Sequence, residues 1–150
     1  AKKGNPKSYD FARPMLNKGN DDLSFSGLKT SVRYFIEKNP SLLSGNEAIP
    51  NLCASIQAAI VEVLLKKTLR AARRENIKCI TVSGGVACNS WLRSEFERAC
   101  KEVGIRLRIS PPEMCTDNAA MIGLLAKMMY DQRVSPSTLE EDISPNWSIN

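Results

Sequence analysis

Two short clusters hold residues that could do chemistry: Ser83-Gly84-Gly85-Val86-Ala87-Cys88-Asn89 and Cys115-Thr116-Asp117-Asn118. In the first, two adjacent glycines follow an apolar run and precede a helical pattern. Without Cβ atoms, the backbone there can take positive φ and let a bulky anion approach its N–H groups. Tight-turn packing is the competing use of the same pair. Asn89, at the first turn of the following helix, can cap it or hydrogen-bond a ligand. In the second cluster Asp117 brings a carboxylate, placed to cap the last helix or to hold a cation. Cys88 and Cys115 flank this region without a histidine or an obvious cationic activator, so nucleophilic thiol chemistry is not expected of them.

The chain has no histidine. That removes a His-based triad, the usual zinc sites and most self-contained acid–base catalysis. A cofactor or another segment must supply much of any chemistry. The cysteines (Cys53, Cys79, Cys88, Cys100 and Cys115) show no CxxC pairing, and several lie in apolar runs, where a thiol acts as a small hydrophobe. This reads as a reducing, cytoplasmic compartment with no disulfide framework. The net charge of +5 is compatible with a nucleic-acid partner and equally common in plain soluble domains.

No apolar run approaches the roughly 20 residues of a bilayer span. The basic start Ala1-Lys2-Lys3-Gly4 leads into polar residues, not the apolar core of a signal peptide. The 150 residues suffice for one domain with its own core. The first residue is not Met, so the sequence is expected to begin inside a longer protein.

The elements that must position the two clusters follow from periodicity. Residues 1–24 read as irregular loop. Asp22, Ser24 or Ser26 offers an N-cap for a helix over Leu28–Lys38, ended by Asn39-Pro40. A polar loop then leads to a long helix over about Asn51–Glu75, with Ile56, Ile60, Val63 and Leu64 in one stripe. Its end carries Lys66, Lys67, Arg70, Arg73 and Arg74, which reads as a solvated helix end matched to the macrodipole or as an RNA-facing patch.

From Ile77 the pattern changes to a strand over Ile77–Val82, a helix over Asn89–Val103 stopped by Gly104, and a strand over Ile105–Ile109. A loop through Thr116-Asp117-Asn118 precedes a helix over Ala119–Tyr130 that is apolar almost all round and expected to be buried. Trp91 and Met114 read as core or rim packing. The order β-α-β-α implies an α/β fold with a parallel pair, whose strand ends and helix starts share one ligand-binding edge. Both clusters fall on that edge and are expected to converge on one crevice. The tail from Ser135 reads as a docked extension.

Three motifs in order, Asp22–Thr30 (DLSFSGLKT), Ser83–Asn89 (SGGVACN) and Cys115–Gly123 (CTDNAAMIG), resemble the carboxy-terminal half of the tRNA N6-adenosine threonylcarbamoyltransferase family, in its bacterial or organellar branch. Ala12–Met15 (ARPM) also resembles that family's approach to the lobe. The resemblance covers about residues 4–133. It implies one lobe of an actin/sugar-kinase/Hsp70-like ATPase (ASKHA) fold: residues 1–134 as the second lobe, with a helical insertion at about 22–75, and 135–150 as a C-terminal extension. The implied reaction transfers a threonylcarbamoyl group from threonylcarbamoyl-AMP to N6 of the adenosine beside the anticodon in tRNAs reading ANN codons.

The resemblance further implies that Asn89 contacts the adenylate, that Gly84 and Gly85 line its pocket, and that Asp117 ligates one metal ion, iron or zinc. The implied partners are tRNA, the first lobe of the same protein, a paralogous dimerisation subunit and a small ATPase. No role for Lys29, within the first motif, follows. The family's metal site also needs two histidines on a first-lobe helix, which this chain lacks, so it is expected to be inactive alone. Cys88 stands where the family usually has Ala. Two other readings remain beside this one: a metal-dependent glycoprotease, the family's older label, and a non-catalytic dimerisation paralogue, against which Asn89 and Asp117 argue.

Overall fold

The computed structural model describes residues 1–136, 138, 140 and 142. It divides into two compact units, Ala1–Cys115 and Thr116–Asn150. Most of the expected extension at 135–150 lies outside the described residues.

The first unit opens with an irregular strap, followed by α1 (Ser26–Lys38), α2 (Ala48–Arg74), β1 (Cys79–Val82), α3 (Ser90–Glu102) and β2 (Arg106–Ile109). The expected caps of α1 are not used: Phe25 stands at its N-cap without a side-chain bond, and Ser24 and Ser26 bond each other instead. Pro50 sits in the first turn of α2, where its missing N–H is not needed. The far end of α2 closes through Asn76, at φ 53°, as Ile77 N–H reaches back to the Ala72 carbonyl. Gly104 does the same for α3 at φ 69°, with Ile105 N–H bonded to the Cys100 carbonyl.

β1 and β2 form a two-stranded parallel sheet, with Ile80 beside Leu107 and Val82 beside Ile109. On β2, Arg106 and Arg108 face solvent while Leu107 and Ile109 are partly covered, as alternation predicts. α2 carries the core on two sides. Val61, Leu65 and Ala72 pack with Ile80 of β1 and with Leu92, Phe96 and Ala99 of α3. Leu52 and Ala59 pack with Phe11 and Leu28, beside an aromatic group in which Phe35 lies 5.1 Å from Tyr9 and 5.3 Å from Phe11. By length and composition α2 alone would pass as a membrane span, contrary to the reading that no segment approaches one. Here Leu52, Ala59, Val61, Leu65 and Ala72 are taken up by these two clusters, while Ile49 stays exposed.

The basic end of α2 is neither freely solvated nor wholly open to RNA. Lys67, 3% exposed, donates to the Asp22 carbonyl. Arg70 donates to the carbonyls of Leu16 and Asn20, and Arg74 pairs with Asp21. These cations clasp the strap onto the helix. Lys66 pairs with Glu62, which Arg13 also reaches, leaving Arg73 without an ion pair among the described residues.

The second unit contains α4 (Ala119–Asp131), closed by Arg133 at φ 55°. The expectation that this helix is buried fails: none of its residues is, and Met121, Ile122, Leu124, Leu125 and Met128 are all exposed. Among the described residues no second regular element of that unit covers it. An all-round apolar sequence states what a helix prefers; burial needs a neighbour.

Candidate functional site

β1 ends at Val82, and the chain turns through Gly84 into a short 3-10 turn at Gly85–Cys88 before α3 begins. Gly84 has φ 87° and ψ 169°, a region that residues with a Cβ scarcely enter. Gly85 has no such φ, and a Cβ built on it would meet nothing within 4 Å. The fold itself therefore demands glycine at position 84 and not at 85. The N–H groups of Gly84, Gly85 and Val86 have no partner among the described residues, and all three residues are exposed. They present consecutive free donors at the carboxyl end of a parallel strand, an arrangement that suits an anion.

Asn89 is the N-cap of α3. Its Oδ1 accepts from the N–H of Trp91 at 3.0 Å and of Leu92 at 3.1 Å. Its Nδ2 donates to Gln57 Oε1 of α2 at 3.1 Å. Both alternatives read for this residue, cap and ligand contact, thus bear on a side chain already bonded at both ends. Gln57 and Asn89 line a cavity of about 900 Å³ between α2, β1 and α3, walled mainly by apolar side chains such as Ile56, Ile60, Leu64, Ile80 and Val82.

Arg93 ties the loop after β1 to the loop after β2. Its guanidinium donates to the carbonyls of Ala87 and Ser110 and lies 3.5 Å from Cys115 Sγ. A cation therefore does stand beside the cysteines, contrary to the sequence reading. Burial and the neighbouring Cys115 still push the Cys88 thiol above its ordinary pKa, with Arg93 pulling the other way. Neither Gln57 nor Arg93 carries a motif of its own; only the packing of α2 and α3 brings them to this loop. Trp91 (38% exposed) and Met114 (50%) sit at the rim, not in the core.

Asp117 is described with the second unit. It is exposed, and it does not cap α4; Asn118 does, accepting from the Met121 N–H at 3.0 Å. Among the described residues no group of three or more His, Cys, Asp or Glu could hold a metal ion, and the sequence has no histidine. A single carboxylate does not make a stable site. The described residues do not by themselves fit the implied metal.

The profile of the family described as TsaD, tRNA N6-adenosine threonylcarbamoyltransferase, matches residues 1–124. Proteins bearing that name include one from Syntrophotalea carbinolica, 44% identical over 100% of this chain, and one from Geobacter metallireducens, 42% identical over 100% of it. Another, from Thermosipho africanus, is 41% identical over 99%. The chain spans 43–44% of the length of these relatives. With the match running through the strap, α1, α2 and the glycine loop, this chain belongs to the tRNA N6-adenosine threonylcarbamoyltransferase family.

Proposed function

We propose that this chain is part of an enzyme transferring the threonylcarbamoyl group from threonylcarbamoyl-AMP to N6 of the adenosine beside the anticodon of tRNAs reading ANN codons. The observation that carries the site assignment is the row of free N–H groups at Gly84, Gly85 and Val86, beside a glycine the fold does not require. In the reaction the adenosine amine attacks the carbamoyl carbon, the bond from that carbon to the phosphate oxygen breaks, and AMP leaves. Negative charge grows on the departing phosphate. N–H dipoles fixed by Gly84 and by the cap at Asn89 bind that phosphate in the ground state and hold it more strongly as it leaves. Gln57 keeps the Asn89 amide in place through its hydrogen bond.

The α/β unit with its parallel pair is proposed as part of the second lobe of an ASKHA fold, the first lobe closing the adenylate pocket. The metal, iron or zinc, is proposed for the full-length enzyme alone, with Asp117 giving one ligand and residues outside this chain the others. A paralogous dimerisation subunit and a small ATPase complete the proposed assembly. A cytoplasmic location belongs to the same reading, supported by five cysteines that are all free thiols. The test is transfer in vitro: the full-length protein with its partner subunits, tRNA and threonylcarbamoyl-AMP should yield threonylcarbamoyladenosine, detected by mass spectrometry of nucleosides. Unmodified tRNA under conditions where a characterised relative works would overturn the proposal.

A further inference from the structure

Cys88 and Cys115 belong to different loops of the first unit, one after each strand, and the fold brings them together. Cys88 Sγ lies 3.7 Å from the Pro112 carbonyl, the same carbonyl that accepts the Cys115 N–H at 3.2 Å. Cys115 Sγ lies 3.4 Å from the Ser110 carbonyl and 3.5 Å from the Arg93 guanidinium. That guanidinium also holds the carbonyl of Ala87, the residue before Cys88. Cys115 is among the neighbours that act on the Cys88 thiol. Cys88 is exposed and Cys115 is 4% exposed, so an oxidant can reach the pair from one side. Both sit on loop or 3-10 backbone, which can adjust to the tight spacing a disulfide needs more readily than a helix interior can.

We propose that Cys88 and Cys115 form a reversible dithiol/disulfide pair, oxidised by a small-molecule disulfide of the glutathione class. Cys88 sulfur attacks one sulfur of the small disulfide, forming a mixed disulfide and releasing one small thiol. Cys115 sulfur then attacks the Cys88 sulfur and expels the second. The two protein thiols are oxidised by two electrons, the small disulfide is reduced to two thiols, and the two protons go to those leaving thiols. Closure ties the loop after β1 to the loop after β2 immediately before Asn89. A thiol at position 88, one residue before the cap of α3, is what makes the pair possible here.

The test reads the polypeptide directly and does not depend on the transferase reading. The reduced full-length protein is incubated with oxidised glutathione, alkylated, and analysed by intact mass and peptide mapping. The wild type should lose alkylation at Cys88 and Cys115 together, retain no glutathione, and yield one cross-linked peptide pair that dithiothreitol separates. Cys115→Ser should stop at glutathione trapped on Cys88, and Cys88→Ala should show neither product; Cys115→Ala replaces the serine variant should that fold poorly. Glutathione retained on wild-type Cys88, full alkylation of both residues, or Cys88 joined to another cysteine would overturn the proposal.

Discussion

Asn89 and Gln57 are joined side chain to side chain at 3.1 Å across 32 residues of sequence, while the other end of the same Asn89 amide caps α3. One side chain therefore fixes the start of α3, the end of the glycine loop and the seat of that loop on α2. Asn89→Ala should lower stability by about 1 kcal/mol in urea unfolding, the ordinary worth of an N-cap. Asn89→Asp keeps the capping oxygen and loses the donor to Gln57, so in the full-length enzyme it should keep most of that stability while weakening adenylate binding. Equal stability loss in both variants would show that the bond to Gln57, not the cap, dominates.

The clasp at the end of α2 separates two cations that the sequence alone presents as equivalent. Arg70→Glu removes donors to the Leu16 and Asn20 carbonyls and sets a carboxylate beside Asp21, and should destabilise the fold by about 1–3 kcal/mol. Arg73→Glu touches no ion pair among the described residues and should leave stability within about 0.5 kcal/mol. Only Arg73→Glu is therefore a clean probe of tRNA contact. If the helix end meets RNA, that variant should weaken binding at low salt and lose the effect as salt rises; unchanged tRNA affinity returns the patch to a purely structural role.

Acid should loosen the same region. Glu62 is held below its ordinary pKa of 4.5 by the Lys66 ammonium first and the Arg13 guanidinium next, against the opposing effect of burial. A carboxyl depressed in the folded state contributes stability that is present above its unfolded pKa and is lost as pH falls through its folded one. Asp21, lowered chiefly by its bond to Arg74, acts in the same direction. Thermal stability should fall as pH drops below about 4.5, and Glu62→Gln should make that fall shallower. An identical pH slope in wild type and variant would contradict the assignment.

Metal retention tests the poverty of donors in this chain. The 150-residue polypeptide, dialysed after exposure to iron or zinc, should keep well under one equivalent, since no cluster of ligands exists among its described residues. In the full-length enzyme Asp117→Ala should lose metal that the wild type keeps. Stoichiometric metal on the short chain, or unchanged metal content in the variant, would each refute the ligand assignment.

Local chemistry was the legible part of this fold. Gly104 and Asn89 bound α3 through bonds made within a few residues, and the alternation of Arg106 to Ile109 marked a strand half in contact with water. The glycine pair announced a loop, though only the folded backbone separates Gly84, forced by its φ of 87°, from Gly85, which the fold leaves open. What escaped the sequence depended on neighbours. Gln57 is one polar residue on an apolar helix until α3 docks, and Arg93 is one helix cation until two loops present carbonyls to it. The exposure of α4 is of the same kind, because periodicity cannot say whether anything covers an apolar face.

The most direct test of the adenylate-binding loop is to fill the space at Gly85. In the full-length enzyme, Gly85→Val should leave thermal stability nearly unchanged, since a Cβ there meets nothing within 4 Å. The same variant should raise KM for threonylcarbamoyl-AMP at least about ten-fold, a loss of about 1.4 kcal/mol of binding, with KM for tRNA unaltered. Wild-type KM for the adenylate in a folded Gly85→Val protein would contradict the account.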